Sequence, residues 1–416
     1  MPLALPEAQV FTGIDWAAAT HAVCVMNAAG KVVAGFTIEH SADGIAALIR
    51  RLARFGDPGD VPIGIERPDG RLAGLLLEAG HPVVPVKPNA IKTWRDGEVL
   101  SGATPGAGDA AVIAEYPRLR YHRLQPAVPY SGETRALRTV MRTRDDLVDM
   151  RVAATNQLAA LLEAHWPGAK AVFADVESPV SLEFLSRYPT PASARCLGEK
   201  RMAAFVVKHG YSGRRTAAQL LERLRSAPAG TAGEALTEAL RDAVLALVAV
   251  LTALNASVKD LDRSAAAHLG EHPDGEIFTS LPRSGQINAA QMLAEWGDCR
   301  QAREHPDAIA ALAGCTPVTK ESGKHRAVHF RWACNKRFRK AMTIFADNSR
   351  HASPWAASIY HNARATGKDH PHAVRILARA WIRVIWRCWL DGTPYDPARH
   401  GAAAALAEQT ARQSAA

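Results

Sequence analysis

Three acids stand where strand-like runs end or a helix begins. Asp15 closes the apolar run Val10–Ile14, Glu66 closes the run Pro62–Ile65, and Asp109 opens a helix that runs toward Tyr116. Acids at strand ends, remote in sequence, can converge on one edge of a sheet. Hard oxygen donors of that kind hold Mg²⁺, and two such ions activate the attacking oxygen and stabilise the leaving oxygen of a phosphodiester. Taken singly, each is also an ordinary strand-end or helix-capping acid. A second concentration of chemistry lies far downstream. Lys320, Lys324, His325 and Arg326 are followed by Arg331, Lys336, Arg337, Arg339 and Lys340, with Trp332 and Phe338 interleaved. Cations mixed with aromatics suit phosphate contact and stacking on bases. A solvated helix face with two core aromatics would give the same pattern. Arg375, Arg379, Arg383 and Arg387 recur every four residues, as either a solvated face or a nucleic-acid stripe.

The elements that must position these residues fall into three sections. The first 120 or so residues alternate between strand and helix patterns. Strands are expected at His21–Asn27, Lys31–Ile38 and Val83–Val86, with helices after Ser41 and over Leu72–Ala79. Ser41 suits an N-cap, and Ile45, Leu48, Ile49 and Leu52 fall on one helical face. The small-residue stretch from Asp96 to Gly108 reads as a loop. The middle is helical: Leu137, Val140, Leu147, Ala154, Leu158 and Leu161 form one seam. Leu236, Leu240, Leu247, Leu251, Leu254, Val258 and Leu261 form another, as in paired long helices. Residues 167–228, with Pro, Gly and basic clusters, read as a helical insertion between them. From about residue 275 the pattern is helical with a basic loop, and an Ala-rich tail after Gly401 is expected to be disordered.

Charge points the same way as the basic cluster. The 416 residues carry a net charge of +9 with a pI near 9.4, which favours a polyanionic partner. The six cysteines are scattered without a CxxC pair, so neither a zinc site nor a disulfide framework is expected. The N-terminus lacks the order of a signal peptide, and no run of about 18 uncharged apolar residues is present. The expectation is a cytoplasmic, nucleoid-associated protein with no membrane span.

Thr12-Gly-Ile-Asp15-Trp-Ala, Gly64-Ile-Glu66-Arg-Pro-Asp-Gly70 and Gly108-Asp109-Ala110 resemble the RuvC-like DEDD domain of a bacterial insertion-sequence family. That family includes the pilin-gene invertases and the bridge-RNA-guided recombinases, and the resemblance covers nearly the whole chain. One departure stands out. The family's third acid lies three residues before its fourth, yet Gly106 occupies that place here; Asp69 or Asp96 are the nearest substitutes.

The same resemblance extends to the C-terminal section. Residues 277–300 resemble the opening helix-hairpin-helix of the family's transposase domain, with Pro282-Arg-Ser-Gly285 where Pro-Gly-x-Gly is usual. Glu321-Ser322-Gly323 is by itself an ordinary turn. Its match to the family's Glu-Ser-Gly implies that Ser322 is a nucleophile, with the cations around it stabilising charge at phosphorus. A rival pattern, His372-Ala-Val-Arg375, Trp386 and Tyr395, imitates the order found in tyrosine recombinases.

The expected architecture is α/β plus α. An RNase H-like (RuvC-like) domain spans 1–125, paired long helices with the 167–228 insertion span 126–272, a helical transposase domain spans 273–400, and the tail spans 401–416. The resemblance implies a recombinase that cuts and rejoins DNA through a phosphoserine intermediate. Asp15, Glu66 and Asp109 would hold Mg²⁺, a structured RNA would guide the reaction, and the chain would act as a dimer or tetramer. The alternative is a nucleic-acid-binding protein that has lost cleavage.

Overall fold

The computed structural model describes residues 10–66, 70–86, 106–124, 126–227, 233–322, 325–403 and 405. Asp69, Asp96, Lys324 and residues 406–416 lie outside them. The chain divides into two compact units: residues 1–131 with 298–309, and residues 132–297 with 310–416.

The first unit is built on a five-stranded mixed sheet. Strands β1 (Val10–Trp16), β2 (Thr20–Asn27), β3 (Val32–Glu39), β4 (Ile63–Ile65) and β5 (Val83–Pro85) lie in the order β3-β2-β1-β4-β5. The β1–β2 and β2–β3 pairs are antiparallel, and β1–β4 and β4–β5 are parallel. The short parallel β4 is apolar and buried throughout, and β5 is buried at Val83 and Val84. Helix α1 (Ala42–Leu52) is capped by Ser41, whose Oγ accepts the Gly44 N–H at 3.1 Å. It buries Ile45, Leu48 and Leu52 against Val23, Val25, Ile38 and Ile63. Helix α2 (Arg71–Glu78) adds Leu72 and Leu76 to the same core. Helix α3 (Gly106–Arg120) starts three residues before Asp109, so the expected loop ends earlier than its composition suggested. Gly106 and Gly108 continue the helix instead of breaking it, because α3 is held on the sheet and packing outweighs the poor intrinsic preference of glycine.

In the second unit, α4 (Gly132–His165) carries Leu137, Ala154 and Leu158 inward, as expected. After it come α5 (Pro167–Val172), α6 (Pro179–Arg187), α7 (Glu199–Lys208), α8 (Ala217–Ser226) and the 38-residue α9 (Glu234–Glu271). The long helices pair, with Arg144 bonded to Asp262 and Arg151 Nη1 donating to Asn255 Oδ1 at 3.3 Å. The 167–228 insertion packs over one end of that pair, where Trp166, Phe173, Phe184, Phe205 and Leu220 share a core with Leu158, Leu162, Val248 and Leu251. By length and composition α9 alone would pass for a membrane-crossing helix. Its Val244, Val248 and Leu251 are buried in this protein core.

The remaining elements are α10 (Gly275–Thr279), α11 (Gln286–Trp296), α12 (Pro306–Leu312), a two-stranded hairpin of β6 (Val318–Ser322) and β7 (His325–His329), α13 (Lys336–Ser349), α14 (Pro354–Ala365) and α15 (His370–Asp391). Trp296 is wholly buried and meets Phe278, Phe338 and Trp389 edge-on. Residues 401–403, the start of the expected disordered tail, are helical. The turn between α10 and α11 places Arg283 at φ 56°. An arginine thus adopts a left-handed backbone, where only glycine is free of strain.

Candidate nucleic-acid active site

Strand register places two of the N-terminal acids on one sheet edge. Ile14 pairs with Ile65 across the parallel strands β1 and β4, so Asp15 and Glu66 are the next residues along adjacent strands. Asp109 arrives on the first turn of α3. That helix can lie against the sheet because Gly13 and Gly64 are cross-strand partners under its backbone. A Cβ on Gly13 would sit 2.1 Å from the Ala110 carbonyl oxygen, and one on Gly64 would sit 2.7 Å from that of Ile113. These glycines of the Thr-Gly-Ile-Asp and Gly-Ile-Glu segments are positioning residues that the acid pattern alone did not reveal. Glycine inside an apolar strand is the available signal, since it marks close backbone approach.

Asp15 and Asp109 are near enough to repel. Burial raises the Asp15 pKa above the usual aspartate value, and the Asp109 charge raises it further. Two carboxylates in mutual repulsion, with a third aligned on the next strand, have the donor chemistry that suits a hard divalent cation. Among the described residues, however, no group of three or more His, Cys, Asp or Glu side chains is gathered closely enough to hold a metal.

Ser322 ends β6 at the tip of the β6–β7 hairpin. It is exposed and pairs with His325 across the ribbon. One step down, Glu321 faces Arg326, and their charged groups are 3.4 Å apart on the surface. Lys320 is the next residue along β6 and is exposed. Nearly every residue of the ribbon faces outward, Val328 being 63% exposed. A two-stranded ribbon is marginal in water on its own and is of a size that DNA's major groove admits.

The basic residues expected to meet phosphate divide into two groups. Lys320, Arg326 and Lys336 are exposed. Four others make contacts within the protein, Lys340 while also being exposed. Arg337 pairs with Asp145 (3.3 Å) and Asp146, and Lys340 reaches Asp145 at 2.7 Å, tying α13 to α4. Arg331 Nε donates to the Thr316 carbonyl at 3.0 Å, and Arg339 Nη2 donates to the Arg331 carbonyl at 2.7 Å. Phe338 is core and Trp332 is surface, so the two aromatics do not share a role.

Comparison with known proteins fits both sites into one lineage. Residues 12–167 match a family described as a transposase with a DEDD domain, and residues 275–361 match the "Transposase IS116/IS110/IS902 family". The mini-circle transposase assigned to IS117 in Streptomyces coelicolor is 30% identical over 399 residues, spanning 94% of this chain and 96% of that protein. The 42 kDa protein of insertion element IS900 from Mycobacterium paratuberculosis is 28% identical over 95% of this chain and 99% of its own length. The chain belongs to the IS110/IS116 family of transposases. The first match contains Asp15, Glu66 and Asp109, and the second contains the β6–β7 hairpin with Ser322. A transposase acts on DNA, which agrees with the positive charge and names the polyanion.

Tyr395 of the transposase is poorly suited to attack phosphorus. It is 8% exposed, packs edge-on against Trp381, and its hydroxyl lies 3.1 Å from His400 Nδ1. Burial raises its pKa, and the nearby Cys388 and Asp396 add to that. The rival pattern therefore lacks an accessible tyrosine. The acids that organise this unit, by contrast, carried no motif. Glu295 is fully buried and accepts from Arg142 Nε (3.0 Å), Arg138 (3.4 Å) and Asn335 Nδ2 (2.6 Å), joining α11, α4 and the start of α13.

Proposed function

We propose that this transposase is a recombinase of an insertion sequence, cutting and rejoining DNA through a phosphoserine linkage on Ser322. The Ser322 oxygen forms a bond to phosphorus as the bond to one deoxyribose oxygen breaks. The serine gives up its proton, and the departing oxygen takes one. A hydroxyl of another strand then reverses the step, so the phosphodiester energy is kept. The observation that carries this reading is Ser322 itself, exposed at a hairpin tip in the family's transposase segment. Lys320 and Arg326 supply positive charge for the phosphate, and exchange of Glu321 for phosphate costs Arg326 little because surface pairs are weak.

The N-terminal unit is read as an RNase H-like domain, supported by the order β3-β2-β1-β4-β5 and by the acids at the ends of β1 and β4. Asp15, Glu66 and Asp109 would hold Mg²⁺, which would supply charge stabilisation to the oxygens leaving and attacking phosphorus. Guidance by a structured RNA and action as a dimer or tetramer belong to the same proposal. The second reading, a DNA-binding protein without cleavage, draws on Gly106 in place of an acid.

Strand cleavage by protein purified together with the RNA it binds decides between them. Ser322→Ala is expected to abolish cleavage while leaving DNA affinity within about twofold, because one hydroxyl adds little to an interface of many phosphates. Cleavage by the alanine variant would remove Ser322 from the reaction, and absence of cleavage by the wild type would favour the second reading.

A further inference from the structure

The segment between β7 and α13 holds an indole in solvent on a backbone that is fixed around it. Trp332 is 78% exposed. Its neighbours are not loose. Arg331 donates to the carbonyls of Thr316 (3.0 Å) and Pro317 (3.4 Å). Arg339 Nη2 donates to the carbonyls of Arg331 (2.7 Å) and Trp332 (3.5 Å) and contacts the Cys334 thiol. The Asn335 N–H bonds the Leu312 carbonyl at 2.8 Å. Phe330 meets the Trp332 ring edge-on at 4.8 Å, and the guanidiniums of Arg339 and Arg375 lie over the Phe330 ring at 4.6 and 4.9 Å.

A large apolar ring kept in water is unfavourable, and this one is held there on a backbone braced on both sides. An exposed ring on a braced backbone, with cations on the neighbouring ring, is what a nucleobase stacks on. Phosphate-only binding would call for more Lys or Arg and would not need an indole. Strand exchange also leaves bases unpaired next to the cut, and Trp332 sits at the base of the ribbon that ends in Ser322.

We infer that Trp332 is the stacking platform for an unpaired base of the DNA strand being exchanged. This rests on the proposed recombinase function and adds a specificity residue to it. The platform grips strands whose bases are free and ignores the paired duplex, so it selects opened DNA at the cut.

Two DNA probes of the same length and sequence, one fully paired and one with a short unpaired stretch, test this by fluorescence anisotropy with the full chain at fixed salt. For Trp332→Ala, affinity for the unpaired probe is expected to fall about 5- to 150-fold, the range for losing one stacked base. Affinity for the paired probe should stay within about twofold, and Trp332→Phe should restore most of the loss. A base analogue whose emission is quenched by stacking should lose its quenching in the alanine variant only. Equal affinity of wild type and Trp332→Ala for the unpaired probe overturns the inference and leaves the recombinase reading intact. A Trp332-dependent preference for RNA of the same sequence over DNA also overturns it, as does a fall in oligomer mass in the alanine variant by light scattering. Failure of the wild type to bind either probe overturns the inference and the recombinase reading together.

Discussion

Gly13 and Gly64 face each other across β1 and β4, and both lie directly under the backbone of the helix that carries Asp109. The distance between Asp109 and Asp15 is therefore set by two missing side chains. Gly13→Ala and Gly64→Ala should each push α3 off the sheet. The expected cost is about 1–3 kcal/mol of stability, typical of overpacking, together with loss of the DEDD domain's activity. Gly74→Ala is the control. It lies inside α2 with open space where its Cβ would be, so it should gain about 0.5–1 kcal/mol and keep activity. Thermal melting and a cleavage assay on the three variants read both effects.

Gly106 begins α3, one helical turn before Asp109. An acid at this position would share a face with Asp109, as residues three apart do on a helix. Divalent affinity rises with carboxylate count, so Gly106→Asp should lower the Mg²⁺ concentration needed for half-maximal cleavage. An unchanged or raised requirement would mean that the site is complete without a fourth acid. Asp15→Ala should abolish cleavage in both backgrounds.

Glu295 makes the second unit sensitive to acid. Its burial favours the neutral form, but hydrogen bonds from Arg142 and Asn335 and the charges of Arg138 and Arg142 outweigh that, and its pKa lies below the ordinary glutamate value. A depressed pKa contributes stability that is present above the unfolded value, near 4.5, and is lost as pH falls through the folded one. Glu295→Gln should remove this pH dependence below about pH 4.5. Arg142→Ala should destabilise by roughly 3–5 kcal/mol, because it strands a buried carboxylate with less compensation. Denaturant melts of the second unit's transition at pH 7 and pH 4 measure both.

The division among the basic residues has its own signature. Lys320→Ala with Lys336→Ala should flatten the slope of log DNA affinity against log salt by up to about 1.8, at roughly 0.9 per lost phosphate contact on duplex DNA. Arg337→Ala with Lys340→Ala should instead lower the melting temperature, since both hold Asp145 of α4. The salt slope should barely move. A reversed result would put Arg337 and Lys340 on the DNA and Lys320 and Lys336 off it.

How much of this was legible follows from range in sequence. Strand and helix patterns are local, so the β1–β5 and α1–α3 succession, the two long helices and the Ser41 cap could be read from periodicity and cap chemistry. The face of α9 could not, since its expected seam holds Leu251 and Val258 but also the exposed Leu236, while Val244, Val248, Ala265 and Leu269 are the buried neighbours. Asp15 and Glu66 could be read because register carries strand-end acids to the same edge. The roles of Arg337 and Lys340 could not, since their partner Asp145 lies about 190 residues away and nothing local distinguishes an ion-paired lysine from a DNA-facing one. For the same reason Trp332 and Phe338 look alike in sequence, although one is core and the other surface. Gly106 looked like part of a loop because packing on the sheet, which overrides weak helix propensity, is invisible in composition.

The central claim is that Ser322 is the residue joined to DNA, and a trapped covalent complex tests it most directly. A substrate nicked beside the cleavage site should let the cut end diffuse away and leave the adduct in place. Protease digestion and mass spectrometry should then find the nucleotide on the peptide containing Ser322. The same treatment of Ser322→Ala should yield no adduct, and Tyr395→Phe should yield as much as the wild type. A nucleotide carried on Tyr395, or an adduct that survives in Ser322→Ala, would contradict the account.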